Sequence, residues 1–566
     1  MSQRQQLSIV LATVSLTWAT LSIADAPAKP ALKAASAPRD EPRQHARASD
    51  GGIAVNASGN AKVEIYQTIQ RSDPVLESTL KRLEKLLEER SSASDGTIAR
   101  DRLVGEVESA VNDVLHRARE SNASLASLAA KRGLEKGDTL DAEILLQQAE
   151  EVAAGGKPPD WPRAAALARQ QGALALTRDT KAALTAYQRA AAYEPDNADN
   201  WLSLGDLLIQ SLRRADAVRA YERMTHLVEE RARRDPASPE WRRLVATAYR
   251  KMADAFLAQD DVPRAAEASE KSLTLSERWA TDQPTNRDAQ NQLILSLIQK
   301  GRVGLAGTES ALTGNSLPTS ATTHESVEAM RQEITRRASE AEAQYRRGLM
   351  LVDSLLDHDV DDDYLWLQGA DCHEGIAWSL ALRLQRGVRG EFSRSIEILT
   401  RIANKNPRNA FYQRNLALAY RSLGGFAARS EHDAAAASSS YRRSLAILQT
   451  LRDQNPSNPQ LQLDLVGVYQ EMAWLAQPWV TVPSLLDPNY RDYLRRPLVE
   501  PAEGIAMLLE GRHILEGFEA DGLLGAPEKV LQRQIQSDLE DLRCQQQGFE
   551  SAFGGQCLRP LPASMR

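Results

Sequence analysis

The sequence predicts an all-α protein, an α-solenoid of stacked antiparallel helix pairs, on three observations. A small–x3–bulky–x2–small step recurs seven times. Its clearest copies are Ala183, Tyr187 and Ala190; Ala217, Tyr221 and Met224; Ala341, Tyr345 and Gly348; and Ala437, Tyr441 and Ser444. Looser copies are Ala142, Leu146 and Ala149; Ala265, Ser269 and Ser272; and Ser395, Leu399 and Ile402. Spacings of four and three put each trio on one helix face. The second observation is a recurring stop-and-start signal: "EPDN", "DPAS", "QPTN", "NPRN" and "NPSN", beginning at Glu194, Asp235, Gln283, Asn406 and Asn455. Proline ends one helix, and the Asn or Ser two residues later caps the next. The third is composition: 42% hydrophobic residues can bury a core, while 5% aromatics suit closely packed helices better than a β-sandwich.

From the N-terminus, Arg4 precedes an uncharged run from Leu7 to Ala24, with small residues at Ser22, Ala24 and Ala26. This is the layout of a secretory signal over residues 1–24, so the mature chain is expected to be periplasmic or secreted, without stable membrane insertion. The alternative is a retained N-terminal anchor, because the run is about long enough to span a bilayer. No cysteine lies near the exit, which excludes a lipidated N-terminus. Residues 25–50 read as a disordered Pro/Ala-rich linker. Residues 51–120 read as a small hairpin, where Ile53, Val55, Val63 and Ile65 alternate around Asn56–Asn60, followed by amphipathic helices. Leu76, Leu80, Leu83 and Leu87 form a coiled-coil-like seam, a candidate homo-oligomerisation segment; a helix packed on its own chain fits the spacing equally.

Residues 123–520 carry the repeats, about eight helix pairs. Small residues let the two helices of a pair approach, and the Tyr or Leu fills the gap to the next pair. One pair alone exposes an apolar face, so the units must stack. The preceding helices show the matching faces: Trp201, Leu204, Gly205 and Leu208; Tyr249, Ala253 and Phe256; Tyr420, Leu423 and Gly424; Tyr469, Met472 and Ala473. The stretch "GTESALTGNSLPTSATTHES" from Gly307 reads as an inserted loop, and a degenerate last repeat is interrupted after Ala476. Residues 521–566 read as a capping helix and a C-terminal tail.

Trp201-x2-Leu204-Gly205-x2-Leu208 followed by Ala217-x3-Tyr221 resembles the tetratricopeptide repeat, with Leu208 where the family usually has Tyr. Only the step from Ala183 to Ala217 has the family's 34-residue length. "WRRLVATAYRKMADAFLAQDDVPRAAEASEKSLTLSER" is similar to a bacterial exported type with extended second helices. The resemblance implies a right-handed stack whose concave groove is lined by the first helix of each pair. It does not imply one function, since such arrays serve many.

No converging catalytic set emerges. His373 and Glu374 lack the second His of a zinc-protease helix. "DHDVDDDYLW", from Asp357, lacks the Gly and terminal Glu of a calcium hand and reads as an acidic first helical turn. "RGVRGE" and "GGFAARS" follow no strand, so phosphate binding is unsupported, and the eight His residues are scattered. The chain is therefore expected to be non-catalytic, with no cofactor and no metal. With 69 Lys plus Arg against 76 Asp plus Glu, and no basic stripe with interleaved aromatics, nucleic acid is not expected as a partner.

Placing the motif faces in the core leaves Asp206, Arg250, Asp254, His373, Arg421, Gln470 and Trp474 as candidate groove residues. Arg250 and Arg421 are suited to partner carboxylates and Trp474 to an apolar anchor. Some family members clamp a C-terminal carboxylate with Lys and Asn; here Asp254 follows Arg250, so that specificity does not carry over. Of the three cysteines, Cys544 and Cys557 could close a small loop in an oxidising compartment or stay as two thiols, and Cys372 reads as a buried small side chain. The expected function is a scaffold for a protein or peptide partner in the bacterial envelope. The alternatives are an oligomeric assembly factor organised by residues 51–120 and a helical toroid hydrolase using Asp206 and Asp254.

Overall fold

The computed structural model describes residues 79, 81–83 and 96–560, apart from 120–124, 137, 177–178, 237, 314–323, 432, 477–478, 481–492, 495–498, 548 and 553–555. The signal over 1–24, the linker over 25–50, the hairpin around Asn56–Asn60, and Leu76, Leu80 and Leu87 lie outside the described residues. Leu83 alone of the leucine seam is described, and it is buried in one apolar cluster with Val107, Leu145 and Leu146.

Helix α1 (Gly96–Arg119) leads into eight helix pairs. These are α2 (Leu125–Lys136) with α3 (Leu140–Gly155), α4 (Trp161–Leu176) with α5 (Thr180–Tyr193), α6 (Ala198–Gln210) with α7 (Arg214–Arg234), and α8 (Pro239–Ala258) with α9 (Val262–Asp282). Then come α10 (Arg287–Thr313) with α11 (His324–Leu356), α12 (Asp363–Leu382) with α13 (Val388–Lys405), α14 (Ala410–Arg429) with α15 (Ala434–Gln454), and α16 (Pro459–Trp474) with α17 (Pro501–Ala520). A last helix, α18 (Ala526–Gln546), packs on α17. Each helix packs against the one before it and the one after it, which is the packing of a solenoid. Among the described residues, no helix is long and apolar enough to cross a membrane.

The repeated small–bulky step is a glycine cradle for an aromatic ring. A Cβ on Gly205 would lie 2.4 Å from the Tyr221 ring, and the same holds at 2.6 Å for Gly424 on Tyr441 and 2.7 Å for Gly172 on Tyr187. Tyr345 is held between two such glycines, Gly301 and Gly375. Only a residue without a side chain lets the ring lie flat on the neighbouring backbone. The Ser-bearing copy on α9 works differently: Ser272 Oγ donates to the Ala246 carbonyl at 2.9 Å, and Ser272 and Ser276 each bond Ser296. Polar contacts replace the missing ring.

The stop-and-start signals act as helix caps. The side chains of Asn197, Asn409 and Asn458 each accept a backbone N–H of α6, α14 and α16, and Asn286 does so for Asp288 and Ala289. Ser238 caps α8. Six residues beyond each proline, a side chain closes the same turn by donating to the proline carbonyl: Trp201 to Pro195 at 2.8 Å, Gln290 to Pro284 at 3.0 Å and Gln462 to Pro456 at 2.7 Å. Asp362 caps α12, so the acidic run from Asp357 is a helix start.

Two expectations change. The insertion from Gly307 is not a loop throughout, because α10 continues to Thr313 and α11 begins at His324. The Thr308 hydroxyl donates to the Leu305 carbonyl, and Arg337 of α11 lies over the bare Gly307 backbone, so helix pairing extends past the expected boundary. The C-terminal tail also contains an antiparallel hairpin, β3 (Phe549–Ala552) and β4 (Gln556–Pro560), packed on α18, while a two-residue ladder of β1 (Trp479–Val480) and β2 (Tyr493–Leu494) sits in the interrupted repeat.

Candidate functional site

Polar side chains join first helices of successive pairs, α6 to α8, α8 to α10, α12 to α14 and α14 to α16. Between α10 and α12 the charge of Arg302 acts on Asp371 and Glu374. Lys251 Nζ of α8 lies 3.0 Å from Asp206 of α6. Arg302 of α10 donates to Asp254 of α8 at 3.1 Å, and Ser422 of α14 donates to Glu374 of α12 at 2.6 Å. Arg421 and Arg414 of α14 donate to Glu471 and Asp464 of α16 at 3.0 and 2.6 Å. Four of these partners are 48 or 50 residues apart, the distance from one long first helix to the next. The result is a polar lane running across α6, α8, α10, α12, α14 and α16.

The lane is mostly withdrawn from water, and its electrostatics follow from that. Burial pushes the Asp371 carboxyl up to about 7, Arg302 opposes the shift and Glu374 adds to it. Burial also raises Glu374, while bonds from Ser422 and the charge of Arg302 pull it back. Desolvated carboxylates persist only where cations or hydrogen bonds compensate. Gln299 Nε2, Arg302 Nε and both side-chain atoms of Gln368 are buried without a protein hydrogen-bond partner, so the lane has polar capacity to spare.

The sequence candidates divide on this lane. Asp206 also accepts from the Tyr221 hydroxyl at 2.5 Å, so a core tyrosine fixes it. Arg250 is 1% exposed with Nη1 3.9 Å from Asp254, and Arg421 is 2% exposed and holds a carboxylate of its own chain. Gln470 is buried beside Glu471. His373 turns away to its own second helix, with Nδ1 2.6 Å from Glu391 of α13. Trp474 is half-buried against the C-terminal apolar cluster. The structure thus brings Asp206, Arg250, Asp254 and Arg421 into one lane and leaves His373 and Trp474 outside it. Lys251, Arg302, Asp371, Asp464 and Glu471 escaped sequence reasoning, and Glu374 was read only beside His373; their signal is charge recurring on first helices at the repeat distance.

Among the described residues no three His, Cys, Asp or Glu side chains converge as metal ligands. Cys372 is a buried free thiol pushed up by burial, and Cys544 is buried and disulfide-bonded. The Cys557 side chain lies outside the described residues.

A separate groove of about 1210 Å³ lies between distant parts of the chain. Lys181, Leu184 and Arg213 line it from α5 and the turn before α7, and Arg452, His513 and Phe518 line it from α15 and α17.

No protein family's sequence profile matches the chain, and no curated protein matches it. Solved structures that align with it include a human IFIT1 dimer with PPP-AAAA, at 14% identity over 76% of this chain and 94% of that one, with a TM-score of 0.22. The TPR domain of P58(IPK) aligns at 14% identity over 64% of this chain and 99% of its own, with a TM-score of 0.16. Yeast Tom70 aligns at 10% identity over 72% and 96%, with a TM-score of 0.13. The helical-repeat description rests on this chain's own helix order and packing.

Proposed function

We propose that this chain is an exported, non-catalytic scaffold of the tetratricopeptide type, with a right-handed array that receives a protein or peptide in its concave groove in the bacterial envelope. The observation that carries this reading is the lane itself: first helices from α6 to α16 present linked polar side chains as one wall of mixed charge. Asp206 and Asp254 keep partial exposure along that wall, while His373 and Trp474 lie outside it. Arg250, Arg421 and Gln470 are buried. Export rests on the signal pattern over residues 1–24, and we infer that Cys544 pairs with Cys557, which non-reducing peptide mapping would test.

The functional test is crosslinking capture from an envelope extract, comparing the wild type with Asp206→Asn and Asp254→Asn chains that keep native helix content. A specific partner lost on substitution is the expected result. Capture that ignores both substitutions would remove the groove reading, and turnover of a small substrate would remove the non-catalytic one.

A further inference from the structure

Leu212, Asp260 and Leu384 occupy equivalent turns between first and second helices, each with positive φ (57°, 62° and 54°). A bulky residue pays strain in this left-handed region, so its surroundings must hold it there. Leu384 is 51% exposed, as a residue on the rim of a solenoid should be, whereas Leu212 is 4% exposed. What covers Leu212 comes from the far end of the chain: it belongs to the apolar cluster that contains Leu451, Phe518 and Leu531 of α15, α17 and α18.

Two residues on, the Arg214 guanidinium lies 2.6 Å from the Glu528 carboxylate of α18, across 314 residues of sequence. Arg214 is 10% exposed and Glu528 not at all. Both partners are held from behind. Glu528 accepts the Gly525 N–H at 3.0 Å at the start of α18, and Gln259 Nε2 donates to the Arg214 carbonyl at 3.1 Å. The groove between Lys181 and His513 lies on the same seam, walled by both ends of the array.

We propose that Arg214, Glu528 and Leu212 form a latch that closes the array on itself, and that the seam groove exists only while the latch is shut. Helices adjacent in sequence pack along their lengths, whereas the seam is joined by a few side chains: Leu212 against α15, α17 and α18, and Arg214 on the start of α18. Such a junction can open while every helix pair keeps its sequential neighbours. The pair is also conditional: with both charges present it is compensated, and with one removed a buried charge is left alone.

The test uses the full chain with spin labels at Lys181→Cys and His513→Cys, exposed positions on opposite walls of the groove, and reads the distance between them by pulsed electron resonance. The otherwise native chain should give one short-distance population. Arg214→Met, Glu528→Gln and Leu212→Ala should each add a longer population with helix content unchanged. The double substitution Arg214→Met with Glu528→Leu should restore the short one, because no charge remains buried. If Leu212→Ala and the folded single-charge variants all keep the parental distribution, whatever their melting points, the pair is an ordinary cap contact and the latch is overturned.

Discussion

The Arg421 guanidinium is seated on the bare backbone of Gly467. A Cβ at Gly467 would lie 2.6 Å from Arg421 Cζ, and one turn later on the same helix Glu471 receives the guanidinium at 3.0 Å. A glycine in a helix interior costs about 1 kcal/mol against alanine, and the buried ion pair above it requires that gap. Gly467→Ala should therefore lower stability by about 1–3 kcal/mol despite its better helix propensity. Urea unfolding decides this, and an equal or higher midpoint would refute the seating.

The same pair gives an asymmetric prediction. Arg429 lies 3.6 Å from Glu471, so Arg421→Met leaves the carboxylate one cation, whereas Glu471→Gln strips the buried Arg421 of its carboxylate partner. Breaking a buried pair costs about 3–5 kcal/mol, with Glu471→Gln expected at the upper end and Arg421→Met below it. The combined Arg421→Met and Glu471→Leu chain should recover most of the loss. Wild-type melting of Arg421→Met would free Arg421 for a partner instead.

Tyr221 tests how the packing and the lane are coupled. Tyr221→Phe keeps the ring on Gly205 but removes the hydroxyl bonded to Asp206. The expected loss is about 1–2 kcal/mol, and Gly205→Ala, which displaces the ring, should cost at least as much. Calorimetry of both variants checks the order; a neutral Tyr221→Phe would detach Asp206 from the core.

Asp371 sets a pH dependence of definite sign. Its folded value of about 7 lies above the ordinary 3.8, so the native state holds this proton more tightly than the unfolded chain. That contribution is fully present below about pH 4, falls as pH rises toward 7, and is gone above the folded value. Its span is up to about 4 kcal/mol at 1.36 kcal/mol per unit. Asp371→Asn should flatten melting temperature between pH 4 and 7, and an unchanged slope would show that Asp371 does not titrate there.

Much of the fold was legible because helix periodicity, glycine cradles and proline–asparagine signals are local. Ala217 with Tyr221 named a packing face, and Asn197, Asn409 and Asn458 capped the helices they were expected to start. The donors that close each proline turn six residues later were equally local, and they went unread because Trp, Gln and Arg share the task. The lane was half legible. Asp206, Arg250, Asp254 and Arg421 stood out as polar residues between core positions, but the partners of Asp254 and Arg421 lie 48 and 50 residues away on helices whose rotation the sequence does not display.

By itself, then, the sequence determined what short-range sterics and hydrogen bonding control: helices, their ends and their packing faces. It placed the tyrosine rings toward the next pair, whereas Tyr187, Tyr221 and Tyr441 lie on glycines of their own pair. Only the tertiary structure decided which charges would be buried and with whom. A cation in water and a cation seated on a glycine beside a carboxylate have the same local sequence. It also decided that Leu212 and Arg214 would meet α18, because small rotations between successive pairs accumulate over the whole array, and no local pattern encodes their sum.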